Sequence, residues 1–315
     1  MTVADSVSSV RAGERRRSAR SLRTRESAVM AGLTFCGAFS VLTTITIVVV
    51  LSVQMLRFFG MEEVSVVEFF TTSQWNPLLG KEKHFGIWSL VSGTLLVTAV
   101  AMLLALPLWL ITAVYLSEYS PRGVRAFLKP TLEVLAGIPT VVYGFFALTV
   151  ITPGLKFFHE GFNVYNAFSA GIAVGILCLP TVSSLAEDAL QAVPRALREG
   201  AYSLGATKFD VSVKVVLPAA LSGIVSAVLL AVARAIGETM IVALAAGSMP
   251  RLTVDPRQEV QTMTGFMVQM ALGDVSNFDV EYMSMYAVAA VLFVMTLLLT
   301  LVGGQIRKRF RETYT

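Results

Sequence analysis

Long apolar runs recur along this sequence, and they restrict its fold more than any other feature does. A run of about 20 apolar residues is long enough to cross the hydrocarbon core of a bilayer as an α-helix. Charged residues make up only 15% of the 315 residues, against about 25% in a typical soluble domain. The sequence therefore predicts an all-α polytopic membrane protein with about six transmembrane helices, at residues 31–56, 87–116, 132–151, 167–189, 217–247 and 285–302.

Lysine and arginine are distributed unequally between the two sides that six spans would create. The side that holds both termini carries 18 of these residues, the opposite side carries 6, and Arg234 lies within a span. Because basic residues accumulate in cytoplasmic loops, both termini are predicted to be cytoplasmic. An even number of spans agrees with this orientation.

The polar segments divide the chain further. Residues 1–30 form a basic arm with seven arginines, predicted to be cytoplasmic and to set the topology. No aromatic residues interleave these arginines, so nucleic-acid binding is not expected. Residues 31–306 form the transmembrane domain, with a cytoplasmic loop at 191–216 and an external loop at 248–284, and residues 307–315 form a basic cytoplasmic tail.

The external loop contains a stretch with helical periodicity. Val260, Met263, Met267 and Met270 recur at helical spacing, which predicts a short amphipathic helix that caps the bundle or lies in the membrane interface.

Several chemistries find little support in the composition. Cys36 and Cys178 lie inside apolar runs, and His84 and His159 lie in short polar connections, so a metal-centred enzyme is not indicated. The chain has no Walker A motif and is therefore not predicted to hydrolyse ATP itself. We expect a protein that is not an enzyme.

The cytoplasmic loop between the fourth and fifth spans carries the most specific pattern. A short helix is predicted after Pro194, with Leu197, Ala201 and Leu204 on one side, and Gly205 is predicted to end it. A short helix attached to two membrane spans is suited to docking into a groove of a partner protein.

This loop resembles the coupling loop of ABC importer permeases. The matching residues are Glu199, Gly200, Ala201, Gly205, Val215, Leu217 and Pro218, and the only departure is Gly200 where alanine is usual. The resemblance implies a type I ABC importer permease fold and an ATPase-coupling role for Glu199, Gly200, Ala201, Gly205, Leu217 and Pro218.

Three further stretches are similar to the phosphate-specific permeases, most of all to PstC-type subunits and next to PstA-type subunits. They are residues 84–121, 132–148 and 233–240. The resemblance implies a subunit of an ATP-driven phosphate importer in a bacterial plasma (inner) membrane. Its implied partners are a homologous PstA-like permease, two copies of a cytoplasmic ATPase that binds ATP and Mg²⁺, and an external phosphate-binding protein. No cofactor is implied for this chain.

Arg234 and Glu238 stand out inside the fifth span. At 100° per residue they share a stripe with Ala227, Ala231 and Ala245, opposite a bulky stripe of Val225, Leu229, Val232, Ile236 and Met240. A charge at the centre of a membrane helix is costly, about 2.5–3.5 kcal/mol on insertion scales. Either the two charges neutralise each other and pin two helices, or Arg234 faces the translocation pathway with Glu238 as its exchangeable partner. The resemblance supports the pathway role.

Other charges and other functions remain as alternatives. Glu133, at the start of the third span, is interpreted as an interface charge, and Glu187 and Asp188 as a solvated helix end. The transported anion could instead be sulfate, molybdate or phosphonate, and a channel or secondary transporter independent of ATP is a further alternative. A sensory role is not required by any sequence feature.

Overall fold

The computed structural model describes residues 3–77, 83–273, 276 and 279–309, with side chains from residue 26 to residue 308 in these ranges. The chain divides into two compact units, Met1–Val53 and Gln54–Thr315. The first unit consists of one helix, whose apolar side chains from residue 26 onward are almost all exposed. The second unit contains the helical bundle and its two buried cores.

Most of the described residues are helical. A two-stranded antiparallel hairpin pairs Trp75 with Phe85 and Asn76 with His84. Three π-helical segments, Tyr115–Tyr119, Ala147–Ile151 and Val211–Val216, extend neighbouring helices. The regular elements are α1 (Val3–Phe59), α2 (Val66–Thr71), β1 (Trp75–Asn76), β2 (His84–Phe85), α3 (Trp88–Val114), α4 (Arg122–Ala136), α5 (Thr140–Phe146), α6 (Thr152–Phe158), α7 (Ala167–Gln191), α8 (Arg195–Ser203), α9 (Lys208–Asp210), α10 (Leu217–Ala219), α11 (Leu221–Ile236), α12 (Met240–Ala245), α13 (Met263–Leu272) and α14 (Val280–Arg309).

Five continuous helical segments in the described part of the chain are long and apolar enough to cross a membrane. They are Glu26–Phe59, Trp88–Tyr119, Thr140–Phe158, Ala167–Gln191 and Val280–Lys308. The segment Lys208–Ala219 and α11 meet at a bend of 69° and provide a sixth span if they are counted together. The predicted all-α membrane fold with about six spans is confirmed.

Two predicted span boundaries are wrong. The third span is Thr140–Phe158 rather than 132–151. No helix continues through Pro139, and the residues before Gly137 belong to the separate amphipathic helix α4. Glu133 consequently lies exposed on α4 instead of at the start of a span. The fifth span is not one helix over 217–247, since the chain bends near Ala220 and breaks between Ile236 and Met240.

The main core lies where α3 packs along α7. Gly171 and Gly175 on α7 face Val100 and Ala105 on α3 so closely that a Cβ at either glycine would clash. Trp109 on α3 is buried and donates its indole N–H to the carbonyl of Gly175 at 3.3 Å. Small residues at a membrane helix interface permit this close approach, and dispersion contacts then hold the pair.

A second core lies at the N-terminal end of α3 and is rich in aromatic side chains. Phe69, Trp75, Phe85 and Phe266 make edge-to-face contacts there. The helix predicted from the methionine spacing is present as α13, with Met263 and Met270 buried, but it begins at Met263 and does not include Val260. The Met263 N–H donates to Thr94 Oγ1 at 2.9 Å, so α13 packs on the end of the bundle.

Candidate functional site

The predicted site in the fifth span lies at a break between two helices. Helix α11 ends at Ile236, and the Gly237 N–H caps it by donating to the carbonyl of Ala233. Helix α12 begins at Met240, after a link of three residues. Arg234 is therefore in the last turn of α11, whereas Glu238 lies in the link.

Glu238 is integrated into the structure of this link. Its side chain is buried, with 8% of the residue exposed, and its carboxylate Oε1 accepts the Ile241 N–H at 3.4 Å in the first turn of α12. Its backbone carbonyl accepts a 2.6 Å hydrogen bond from the Thr264 hydroxyl on α13. A carboxylate at a helix start is favoured by the unpaired N–H groups there. Glu238 thus joins the link to α12 and α13.

Arg234 is in a different environment. Its side chain is exposed and makes no hydrogen bond or ion pair with any residue that the structure describes. The predicted ion pair between Arg234 and Glu238 is not formed. The two residues would face each other four positions apart on one continuous helix, but the helix ends between them.

The depth of Arg234 in the bundle follows from the packing of α11 on α7. Gly223 faces Ala189 near the end of α7, and the two helices run antiparallel from there. Eleven residues further along α11, about 16 Å at 1.5 Å per residue, Arg234 is level with the middle of α7. Cys178, at that middle, is close enough to Arg234 and to Glu238 to interact electrostatically with each.

The predicted stripes of the fifth span agree with the structure at Ala227 and Ala231 but not at Arg234 and Ile236, which also lie in α11. Ala227 and Ala231 are buried with Ile224 and Ala235, and this face packs against α7. Ile236, which was placed on the opposite, bulky stripe, is also buried. The arginine therefore does not share the buried face of the small residues, because it lies at the margin of that face and points outward from the single chain.

The residues of the predicted coupling loop lie at the end of the bundle where α7 has its C-terminus. Helix α8 begins directly after Pro194, and Gly205, with φ +81°, makes the turn that follows it. A left-handed backbone conformation of this kind is accessible to glycine without strain. Glu199 and Gly200 are exposed, Ala201 packs on the main core, and Leu217 and Pro218 form the start of α10, just before the 69° bend into α11.

Two ion-pair groups near α8 were not predicted. Glu187 was interpreted as solvated, but its side chain is fully buried, and it pairs with Arg125 at 2.5 Å and Lys129 at 3.4 Å on α4. Only Asp188 next to it is exposed. Arg198 on α8 pairs with Glu118 at 3.1 Å, where α3 ends. No local pattern in the sequence identifies partners that are 62 or 80 positions apart.

The residues that the structure describes include no cluster of three or more His, Cys, Asp or Glu side chains able to hold a metal ion. The site is thus an arginine without an ion-pair partner among the described residues, at mid-bundle beside a helix break. Helices α7 and α11 connect it to an exposed short helix.

Solved structures with a similar arrangement of helices show which fold the chain has. A chain of the MetNI methionine ABC transporter in inward-facing form superposes with a TM-score of 0.53 and 18% identity, covering 72% of this chain and 95% of that one. A chain of a bacterial alginate ABC transporter superposes with a TM-score of 0.60 and 15% identity, covering 84% and 89%. The fold is that of type I ABC importer permeases.

Sequence relatives specify the family. Residues 105–312 match the family described as binding-protein-dependent transport system inner membrane component, and the chain belongs to this family. The probable ABC transporter permease protein YqgH of Bacillus subtilis is 33% identical over 269 residues, which cover 85% of this chain and 86% of the relative. The phosphate transport system permease protein PstC of Mesorhizobium japonicum is 33% identical over 254 residues (73% and 75%), and PstA 1 of Mycobacterium tuberculosis is 38% identical over 170 residues (54% of each).

Proposed function

We propose that this chain is a permease subunit of an ATP-driven importer of inorganic phosphate. The relatives named as phosphate transport permeases support the substrate. The argument rests on Arg234 at mid-bundle, which is exposed and has no ion-pair partner in the described part of the chain. An arginine at that depth cannot face lipid without a large cost, so in the assembled transporter it faces a polar surface or water. A pathway between this chain and a second permease provides such a surface.

The chemistry of Arg234 suits an oxyanion that must bind and leave. The guanidinium is planar and always charged, and it binds tetrahedral oxyanions through two parallel hydrogen bonds. Because no carboxylate of the described residues neutralises Arg234, its full charge is available to the anion. Glu238 has a different role from the one first expected: it holds the helix break in place, so that Arg234 keeps its position at the end of α11.

Energy for transport would enter through α8. Its exposed residues Leu197 and Tyr202, with Leu204 directly after it and Phe209 on the adjacent α9, form an apolar surface suited to a groove of a cytoplasmic ATPase. Glu199, Gly200, Ala201 and Gly205 lie in this docking element, and Leu217 and Pro218 connect it to α11. In this proposal two ATPase copies bind ATP and Mg²⁺, a PstA-like permease completes the pathway, and an external phosphate-binding protein delivers the anion.

The same proposal sets the orientation. With α8 in the cytoplasm, the basic residues of the loops and of both termini lie on the cytoplasmic side, as the positive-inside rule requires. The tail beyond Arg309 lies outside the described residues. The end that carries α13 then faces the external medium.

Uptake of radiolabelled phosphate by proteoliposomes tests this function. The vesicles contain the purified complex with its ATPase, the second permease and the binding protein, with and without ATP inside the compartment that holds the ATPase. The Arg234→Gln variant should assemble but lose phosphate uptake, whereas Arg251→Gln, which removes the same charge from the exposed loop after α12, should keep it.

The alternatives give different outcomes in the same assay. Sulfate, molybdate or phosphonate could inhibit the uptake of labelled phosphate at concentrations too low for unlabelled phosphate to do so. That anion, rather than phosphate, would then be the substrate. Anion transport in vesicles that lack the ATPase would favour a channel or a secondary transporter. Normal uptake by well-assembled Arg234→Gln would refute the proposed role of Arg234.

A further inference from the structure

One guanidinium connects three helices at the end of the bundle that carries α8. Arg198, in the middle of α8, donates from Nη1 to the carbonyl of Val193 at 2.8 Å. Its Nη2 donates to the carbonyl of Leu190 at 2.8 Å and to Glu118 Oε1 at 3.1 Å. Its side chain is only 17% exposed and that of Glu118 only 8%, so these contacts are largely shielded from water.

The three acceptors belong to the ends of two long spans. Leu190 lies in the last turn of α7 and Val193 just beyond it, where helix carbonyls lack intrahelical partners. Glu118 lies in the π-helical segment that ends the α3 span, and the Ser117 hydroxyl also donates to its Oε1 at 2.9 Å. A cation at the end of α7 is favoured by the helix dipole as well. Arg198 therefore fastens α8 to both spans by charge-assisted hydrogen bonds, which are the strong ones.

The rest of α8 has few comparable attachments. Ala201 packs on the main core, but Glu199 and Arg195 are exposed, and neither side chain bonds to another residue of the described chain. Toward α7 the covalent link of α8 is only residues 192–194, whereas toward α11 the covalent path runs through the turn at Gly205 and the bend near Ala220. Because that path changes direction twice, it is a flexible connection. The Arg198 hydrogen bonds connect α8 directly to the ends of the spans.

We propose that Arg198 is a positioning residue that makes α8 and the ends of α3 and α7 move as one rigid lever. This inference rests on the proposed function, because it assigns Arg198 to the transfer of ATPase motion into the membrane. A displacement of α8 moves α7 directly, α3 follows through the close packing at Gly171 and Gly175, and α7 lies beside Arg234 at mid-bundle.

The test measures the number of ATP molecules hydrolysed per phosphate transported by the reconstituted complex. In Arg198→Gln we expect phosphate uptake to fall about tenfold while ATP hydrolysis stays near the wild-type rate, as for the loss of a typical coupling between sites. Arg198→Lys should be intermediate, since one ammonium group does not reproduce the two-nitrogen fork that reaches all three acceptors. Arg122→Gln, an exposed arginine on α4 near the same end of the bundle, should behave as wild type.

A second variant keeps the inference testable if Arg198→Gln does not assemble. Glu118→Gln leaves the carbonyls of α7 bound to Arg198 and weakens only the link to α3, so it should raise the ATP-to-phosphate ratio less than Arg198→Gln does. Wild-type ratios in Glu118→Gln and Arg198→Lys would overturn the inference, and so would a parallel loss of hydrolysis and uptake in an assembled Arg198→Gln complex. Absence of phosphate uptake by the wild-type complex would refute the proposed function instead.

Discussion

The buried carboxylate of Glu187 provides a quantitative test of the packing between α4 and α7. Its side chain is fully buried, whereas its partners Arg125 and Lys129 are 33% and 31% exposed. Gln191 also donates to Glu187 Oε1 at 2.8 Å. The two sides of this ion pair are therefore unequal: an unpaired carboxylate would remain in a dry site, but the unpaired cations would reach water.

This inequality sets the expected magnitudes. Removal of one partner of a buried pair costs about 3–5 kcal/mol, because a buried charge is left uncompensated. In Arg125→Gln, Lys129 and Gln191 remain near the carboxylate, so we expect the lower end of that range, about 3 kcal/mol. In Glu187→Gln the buried charge itself is gone and the two cations hydrate, so the expected loss is about 1 kcal/mol, close to that of an exposed pair. The double variant should resemble Glu187→Gln alone.

Reversible unfolding in mixed detergent micelles measures these differences in the free energy of unfolding. Arg122→Gln is the matched control, since Arg122 is exposed on the same helix and makes no ion pair with the described residues; its change should stay within about 0.5 kcal/mol. A loss in Glu187→Gln equal to or greater than that in Arg125→Gln would refute the reasoning. It would mean that burial of the carboxylate does not decide the cost.

Two further predictions concern helix packing and an external loop. A Cβ at Gly175 would lie 2.9 Å from the Cβ of Ala105, so Gly175→Leu should force α3 and α7 apart and cost about 1–3 kcal/mol in the same unfolding assay. Gly304→Leu, at a glycine with open space around it, is the control, and equal stability of the two variants would contradict the prediction. Hydrogen bonding by Arg257 holds the pKa of Asp255 below its ordinary value of 3.8, so the stabilisation is complete above that pH and is lost as the pH falls through the lower folded-state pKa. The N–H groups of Ala167 and Phe168 donate to the carbonyls of Gln258 and Pro256. Their hydrogen-exchange protection should therefore fall only below pH 3.8 in the wild type, and in Asp255→Asn it should already be lower at pH 7, by about fivefold at most, as expected for an exposed pair. Equal protection of the two proteins at pH 7 would contradict the prediction.

Sequence patterns were sufficient wherever a local property decides the structure. Apolar run length identified the spans, since only a long apolar helix satisfies its backbone in a bilayer. Pro194 and Gly205 bounded α8, and the methionine spacing predicted α13. The arrangement around Arg234 could not be predicted in this way. The helical wheel assumed a continuous helix through Gly237, and the resulting ion pair with Glu238 is wrong because the helix ends there.

The sequence by itself determined which segments leave water, where the short exposed helix lies and which residue types are available at mid-span. Hydrophobicity and the conformational limits of proline and glycine act over a few residues, so they can be read locally. Only the tertiary structure decided which charge meets which partner. Arg198 meets Glu118, Arg125 meets Glu187, and Arg234 meets no partner in the described chain, because those distances depend on how helices far apart in sequence pack against each other.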